Sequence, residues 1–178
     1  MNPKRILIFG ASGAGVSTLG RALADRVVAR YFESDDIYWQ PTDPPYRVAR
    51  GLDERQRLLR EAIVHERWII GGSLCGWGDL IIPHIDAAVF ITTPTALRLQ
   101  RLRQRERERF GPRIAPGGDM HDEHNGFIEW AAKYDAGTSD MRSGPMHESW
   151  IARLPCPVIR LNGARAIDNL VAQWLSEL

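Results

Sequence analysis

Lysine is nearly missing from this chain: of 23 basic residues only Lys4 and Lys133 are lysines, and all the others are arginines. A site that needs a compact, flexible ammonium must do without one here, and positive charge comes as planar guanidinium forks. Cysteine is as scarce. Cys75 follows shortly after a glycine pair and Cys156 stands between prolines, and neither has the neighbours of a metal or redox motif. No apolar stretch approaches membrane-spanning length, and the short apolar run near the N-terminus is far below the core of a signal peptide. Excess charge of one sign is also lacking. The formal net charge of +1 gives no bulk electrostatic reason for a nucleic-acid or membrane partner. The expectation is a cytoplasmic, enzyme-like chain; oligomeric state is left open. Without internal repeats or low-complexity tracts, its 178 residues are expected to form one domain with a sizeable core.

What the chain does have begins at Gly10. Residues 10–17 read GASGAGVS, the phosphate-binding pattern G-x-x-x-x-G-K-[ST] with Val16 at the lysine position. Such a loop wraps successive backbone N–H groups around phosphate oxygens at the start of a helix. The flanks fit. An apolar, β-favouring run (5–9) precedes it, and Leu19, Leu23 and Val27 follow at helical spacing. The small residues Ala11, Ser12, Gly13 and Ala14 leave the backbone open to close approach. Gly10, Gly13 and Gly15 also match a dinucleotide fingerprint, in which Asp35 or Asp36 would hold a ribose and the chain would be an oxidoreductase. Against that stand Ser17-Thr18 directly after the loop, the short chain, and the lack of a Tyr-x-x-x-Lys pair.

Further along, strands are expected at 31–33, 68–70, 87–92 and 157–161, and helices at 17–30, 52–66, 94–110, 127–134 and 164–178. Residues 34–36 read as a strand-end turn, 111–118 as a Gly/Pro-rich loop, and 136–146 give no clear signal. Alternating strands and helices argue for an α/β fold with a parallel sheet covered on both faces.

This order of features resembles the small P-loop kinases: nucleoside monophosphate kinases, shikimate and gluconate kinases, and the adenylate-kinase-like topology modulation proteins. The resemblance is carried by GASGAGVSTLGRALA, SDDIYWQP, WIIGGS and RLQRLRQRERERFG, and it covers nearly the whole chain. It implies a P-loop NTPase fold with five parallel strands, an acceptor segment near 36–66 and a lid near 110–126. It also implies ATP and Mg²⁺ as partners in phosphoryl transfer to a small molecule, such as a nucleoside monophosphate.

By the same resemblance, amides and side chains of Gly10, Ser12, Gly13, Ala14, Gly15, Val16, Ser17 and Thr18 would hold the nucleotide. Ser17 would ligate magnesium, and Arg101, Asn162 and Gly163 would meet the adenine. Asp35 is the candidate general base and a second metal ligand, with Asp36 beside it. Monophosphate kinases often carry Asp-Gly where this chain has Gly71-Gly72, so that acid is absent. Trp39, Gly72 and Trp77 would line the acceptor, and Arg47 and Arg50 would grip an anionic group on it. Of seven arginines between Arg98 and Arg113, most make a solvated face; Arg105, Arg109 or Arg113 would close onto the phosphates as bidentate forks. His121-Asp122-Glu123-His124 reads as a polar loop with no cysteine to complete a metal site. Two functions remain: a working kinase, favoured by the arginines and strand-two acids, or a nucleotide-binding sensor that does little chemistry, favoured by Val16 and Gly71.

Overall fold

A computed structural model describes residues 3–138 and 141–177. Five strands, β1 (Arg5–Gly10), β2 (Arg30–Glu33), β3 (Trp68–Gly71), β4 (Ala87–Thr92) and β5 (Val158–Asn162), form one all-parallel sheet in the order β2-β3-β1-β4-β5. This is the P-loop kinase fold. β1, β3 and β4 lie centrally and are buried along nearly their whole length, so they read as unbroken apolar runs.

Side chains alternate across the sheet and build a core on each face. Ile6 and Ile8 point toward Leu19, Leu23 and Trp174, in the layer of α1 (Val16–Val27) and the last helix. Leu7 and Phe9 point the other way, toward Leu59, Trp68 and Trp150. α2 (Ser34–Tyr38), α3 (Leu52–Ile63), α4 (Thr95–Phe110), α5 (His121–Ala132), α6 (Gly144–Ile151) and α7 (Ile167–Ser176) complete the chain. A smaller cluster of Leu102, Ile128 and Ala131 joins α4 to α5. No helix among the described residues is long and apolar enough to cross a membrane.

Several sequence expectations need correction. Residues 34–36 open the short helix α2 rather than a turn, which places Asp35 and Asp36 in its first turn. α5 starts at His121, well before the expected 127, so the His-Asp-Glu-His run is helical. The 111–118 loop contains a 3-10 turn at Gly111–Ile114, and a second lies at Asp79–His84. Helix α6 rises from the stretch that gave no signal, with the Ser143 hydroxyl accepting from Met146 N at 3.2 Å. Ser139 and Asp140 of that stretch, and Leu178 at the end of the expected last helix, lie outside the described residues.

Candidate functional site

β1 and its two neighbours lead in opposite directions through the sheet, and the crevice at the carboxyl ends of the strands opens there. It is a cleft of about 950 Å³. Its floor is the loop after β1. Gly13 and Gly15 have φ of 79° and 104°, and a Cβ at Gly13 would stand 2.7 Å from the Arg98 carbonyl. Only glycine fits there. The first helical hydrogen bond of α1 runs from Leu19 N to Gly15 O at 3.0 Å. The amides of Val16, Ser17 and Thr18 therefore precede the ladder, with no acidic residue in the first turn and no capping side chain. Such an end attracts anions.

Gly10, Ser12, Gly13, Gly15, Val16, Ser17 and Thr18 all line the cleft. Ala14 does not: it is buried, and its carbonyl accepts from the Thr93 hydroxyl at 3.0 Å. Val16 lines the cleft while packing against the α1 core. Gly163 sits behind the loop, where a Cβ would meet the Ala14 carbonyl at 2.4 Å. Its own carbonyl accepts from Arg101 at 2.9 Å. Asn162 accepts from Ala164 N at 3.0 Å. Neither residue is on the cleft wall, whereas Arg101 is.

On the opposite side Asp35, Asp36, Trp39, Arg47 and Gly72 line the cleft together with Arg105 and Arg109. Three expected members lie elsewhere. Trp77 is buried in the core with its ring 5.7 Å from Tyr38, because the apolar indole gains more from packing than from facing a polar cleft. Arg50 donates to the carbonyls of Asp36, Ile37 and Trp39 and so ties the chain around α2. Arg113 is held by Asp119 at 2.7 Å and Asp43 at 2.6 Å, off the cleft wall. Within the arginine stripe Arg98 is an interior strut, bonded to Thr93 O and Ala131 O.

The uncharacterized protein YqaC of Bacillus subtilis (strain 168) is 38% identical to this chain over 176 residues, covering 98% of the chain and 97% of YqaC. The chain belongs to the YqaC family. No protein-family model matches it. In structure it is similar to the deoxyadenosine kinase of M. mycoides (TM-score 0.59, 13% identity, 97% of this chain and 98% of that one). It is also similar to the shikimate kinase of Bacteroides thetaiotaomicron (TM-score 0.58, 18% identity, 99% and 100%). A sugar kinase of Janibacter sp. follows (TM-score 0.54, 15% identity, 98% and 94%). At these identities the likeness establishes the fold.

Two cleft residues of this YqaC-family chain escaped the sequence. Glu33 ends β2, half-buried, and accepts from the Tyr31 hydroxyl at 2.9 Å. Burial pushes its carboxyl above the ordinary range, while hydrogen bonds from Ser17 and Tyr31 pull the other way. The neighbouring glycine pair explains its reach. A Cβ at Gly71 would lie 2.2 Å from the Tyr31 hydroxyl, so an acid at that position has no room, and Glu33 stands one hydrogen bond away instead.

The second is Arg142. Its guanidinium donates to Ser12 Oγ at 2.8 Å and lies 4.8 Å over the Trp130 ring. Its Nε is buried without a hydrogen-bond partner. Burial lowers its pKa from the ordinary arginine value, and the field of Asp35 opposes that shift. It remains charged. Its sequence signal was indirect: Ser143-Gly144-Pro145 is a helix start with an N-cap serine and early proline, which would have fixed Arg142 at the mouth of α6.

Proposed function

We propose that the protein is an ATP-dependent phosphotransferase acting on a small-molecule hydroxyl, with Arg142 in place of the lysine absent at Val16. The observation that carries this is the placement of Arg142: it bonds the phosphate loop at Ser12, has an unmet buried donor, and shares its field with Asp35. Phosphoryl transfer needs positioning and charge neutralisation more than covalent help. The loop amides and the start of α1 would position the triphosphate. Arg142, Arg101 and Arg109 would neutralise it, since none of the three is paired to a carboxylate among the described residues.

The donor set at the loop suits Mg²⁺. The ion favours few protein ligands and keeps several waters, and the Ser17 hydroxyl with the Glu33 carboxylate offers that pair. Among the described residues no group of three or more His, Cys, Asp or Glu side chains is placed to hold a metal. Glu33 thus takes the metal role expected of Asp35, which leaves Asp35 to accept the acceptor's proton. The ion would supply charge neutralisation between the phosphates.

Support comes also from the fold: neighbours named as deoxyadenosine, shikimate and sugar kinases share this architecture. A second proposal, a nucleotide-binding protein that does little chemistry, is favoured by Val16, whose apolar side chain packs onto the core. ATP consumption with Mg²⁺ across nucleoside monophosphates, nucleosides and hydroxy acids separates them. Turnover on any acceptor supports the kinase; tight ATP binding with no turnover on any supports the second. No ATP binding would refute both.

A further inference from the structure

A buried polar chain runs up to the cleft wall from behind. The Tyr134 hydroxyl lies 2.6 Å from His147 Nδ1, and His147 Nε2 lies 2.9 Å from Ser73 Oγ. His147 is fully buried, with Phe9 and Phe90 set edge-on to its ring at centroid distances of 5.3 and 5.8 Å. Ser73 is the member that reaches the cleft, on a wall that also holds Asp35 and Arg142. Glu33 and Gly71 are register partners in the pairing of β2 with β3. Asp35 and Ser73 therefore each stand two residues past the ends of adjacent strands.

The direction of this chain follows from counting protons. Burial and the charge of Arg142 keep the imidazole neutral, so one ring nitrogen donates and the other accepts. With the proton on Nδ1, the Tyr134 oxygen would have to accept it, and the tyrosine's own hydrogen would be left without a recipient. The buried Tyr134 hydroxyl has no second hydrogen-bond partner among the described residues, and an unmet buried donor carries its full desolvation penalty. With the proton on Nε2 every group is served: Tyr134 donates to Nδ1, and Nε2–H donates to Ser73 Oγ. The Ser73 hydrogen is then turned away from the ring. Inside the protein it meets the Cys75 sulfur, a weak acceptor that a ligand oxygen outcompetes.

We propose, building on the phosphotransferase reading, that Ser73 binds the acceptor, its hydroxyl hydrogen sent into the cleft by His147 and Tyr134 to hold an acceptor oxygen beside the reacting hydroxyl. The reacting hydroxyl is itself a poor recipient: its hydrogen goes to an Asp35 carboxylate oxygen, and its lone pair forms the bond to the γ-phosphorus. As that bond forms, the one from the phosphorus to the β,γ-bridging oxygen breaks, and ADP leaves with the electron pair. Ser73 thus selects a neighbouring oxygen. The acceptor class is a molecule with at least two oxygens close together, as in a sugar, a nucleoside or a hydroxy acid. His147 and Tyr134 are positioning residues that act through Ser73.

Two readouts on the whole protein test this. A long-range ¹H–¹⁵N spectrum of the His147 ring reads which nitrogen bears the proton. Nε2–H is expected; Nδ1–H overturns the proposal, whatever the protein phosphorylates. Steady-state kinetics with Mg²⁺ and ATP on adenosine, AMP, thymidine, TMP, shikimate and gluconate give the second readout. For an acceptor that is turned over, Ser73→Ala should raise the acceptor KM about tenfold, the scale of one hydrogen bond, while kcat and the KM for ATP change less than threefold. Tyr134→Phe, which keeps the ring and removes the donor to Nδ1, should raise the acceptor KM at least threefold and populate Nδ1–H. An unchanged acceptor KM in Ser73→Ala, or an equal rise in the KM for ATP, overturns the proposal and leaves the phosphotransferase reading standing. An unchanged KM in Tyr134→Phe overturns the positioning through His147. If the unaltered protein turns over none of the six, the phosphotransferase reading fails and takes this proposal with it, even with the proton on Nε2.

Discussion

Segments 111–119 and 141–147 each present one arginine, and the two are opposites. Arg113 reaches Asp119 with two nitrogens and Asp43 with a third, and those carboxylates raise its pKa above the ordinary value. Arg142 has one neutral hydroxyl, an aromatic face and a buried Nε without a partner. The first charge is satisfied internally and ties the loop together; the second is unsatisfied and points at the phosphate loop. In an arginine-rich chain, proximity in sequence to a lid motif says little. What distinguishes a ligand-facing guanidinium is the absence of a carboxylate to neutralise it.

The strongest break of this contrast is Arg142→Ala, expected to lower kcat/KM for phosphoryl transfer by roughly 10²–10³, the scale for losing a donor aimed at developing transition-state charge. Steady-state kinetics check it. A loss below threefold would mean that the charge arrives from elsewhere.

Acid sensitivity separates the segments next. His147 is fully buried, bonded to the Tyr134 hydroxyl at 2.6 Å and Ser73 Oγ at 2.9 Å. Burial pushes its pKa down to about 4, and Arg142 adds to the depression. An imidazole held neutral in the fold but titrating near 6.5 when unfolded stabilises fully above pH 6.5 and loses that contribution as pH falls toward 4. At pH 5 the loss is about 2 kcal/mol by linkage. Urea denaturation between pH 7 and 5 should show it, and His147→Gln should flatten the slope. An equal slope in that variant would assign the acid response to other groups.

Smaller still is the effect of Val16→Lys, expected to tighten triphosphate binding about tenfold while preserving the fold, on the scale of one charge-assisted hydrogen bond. Calorimetry measures it, and an unchanged or weaker dissociation constant would contradict phosphate binding at this loop. Least of all, Arg113→Ala should change kcat/KM less than threefold; a loss matching that of Arg142→Ala would erase the contrast.

The central fold was legible because it is written in short-range physics. β1 and β4 are continuous apolar runs, and the loop between β1 and α1 is too small and glycine-rich to be much else. Elements whose stability comes from tertiary packing were hidden. α2 has two aspartates in its first turn and just five residues, so its local pattern is that of a turn, and burial of Ser34 and Ile37 decides for the helix. The first turn of α5 is His-Asp-Glu-His, with no side-chain cap, and its apolar face appears at Phe127 and Ile128 against Leu102. The cleft divided the same way. The phosphate loop is a contiguous motif, whereas Arg47 and Arg142 have environments set by residues far away in sequence, and Glu33 meets Ser17 and Arg21 of α1 besides its near neighbour Tyr31. Arg142 and its Ser12 partner are separated by 130 positions, and no local pattern encodes that meeting.

The glycine pair at the end of β3 carries a consequence for how the sheet edge can vary. A side chain at Gly71 would collide with Tyr31, and one at Gly72 would fall 1.8 Å from Ser34 Oγ. Positions 31, 34, 71 and 72 are therefore coupled sterically: a side chain enters the end of β3 once the Tyr31 ring or the Ser34 hydroxyl has given way. The pair works as a lock whose other half is the tyrosine, and Glu33 is fastened to the same lock through the Tyr31 hydroxyl.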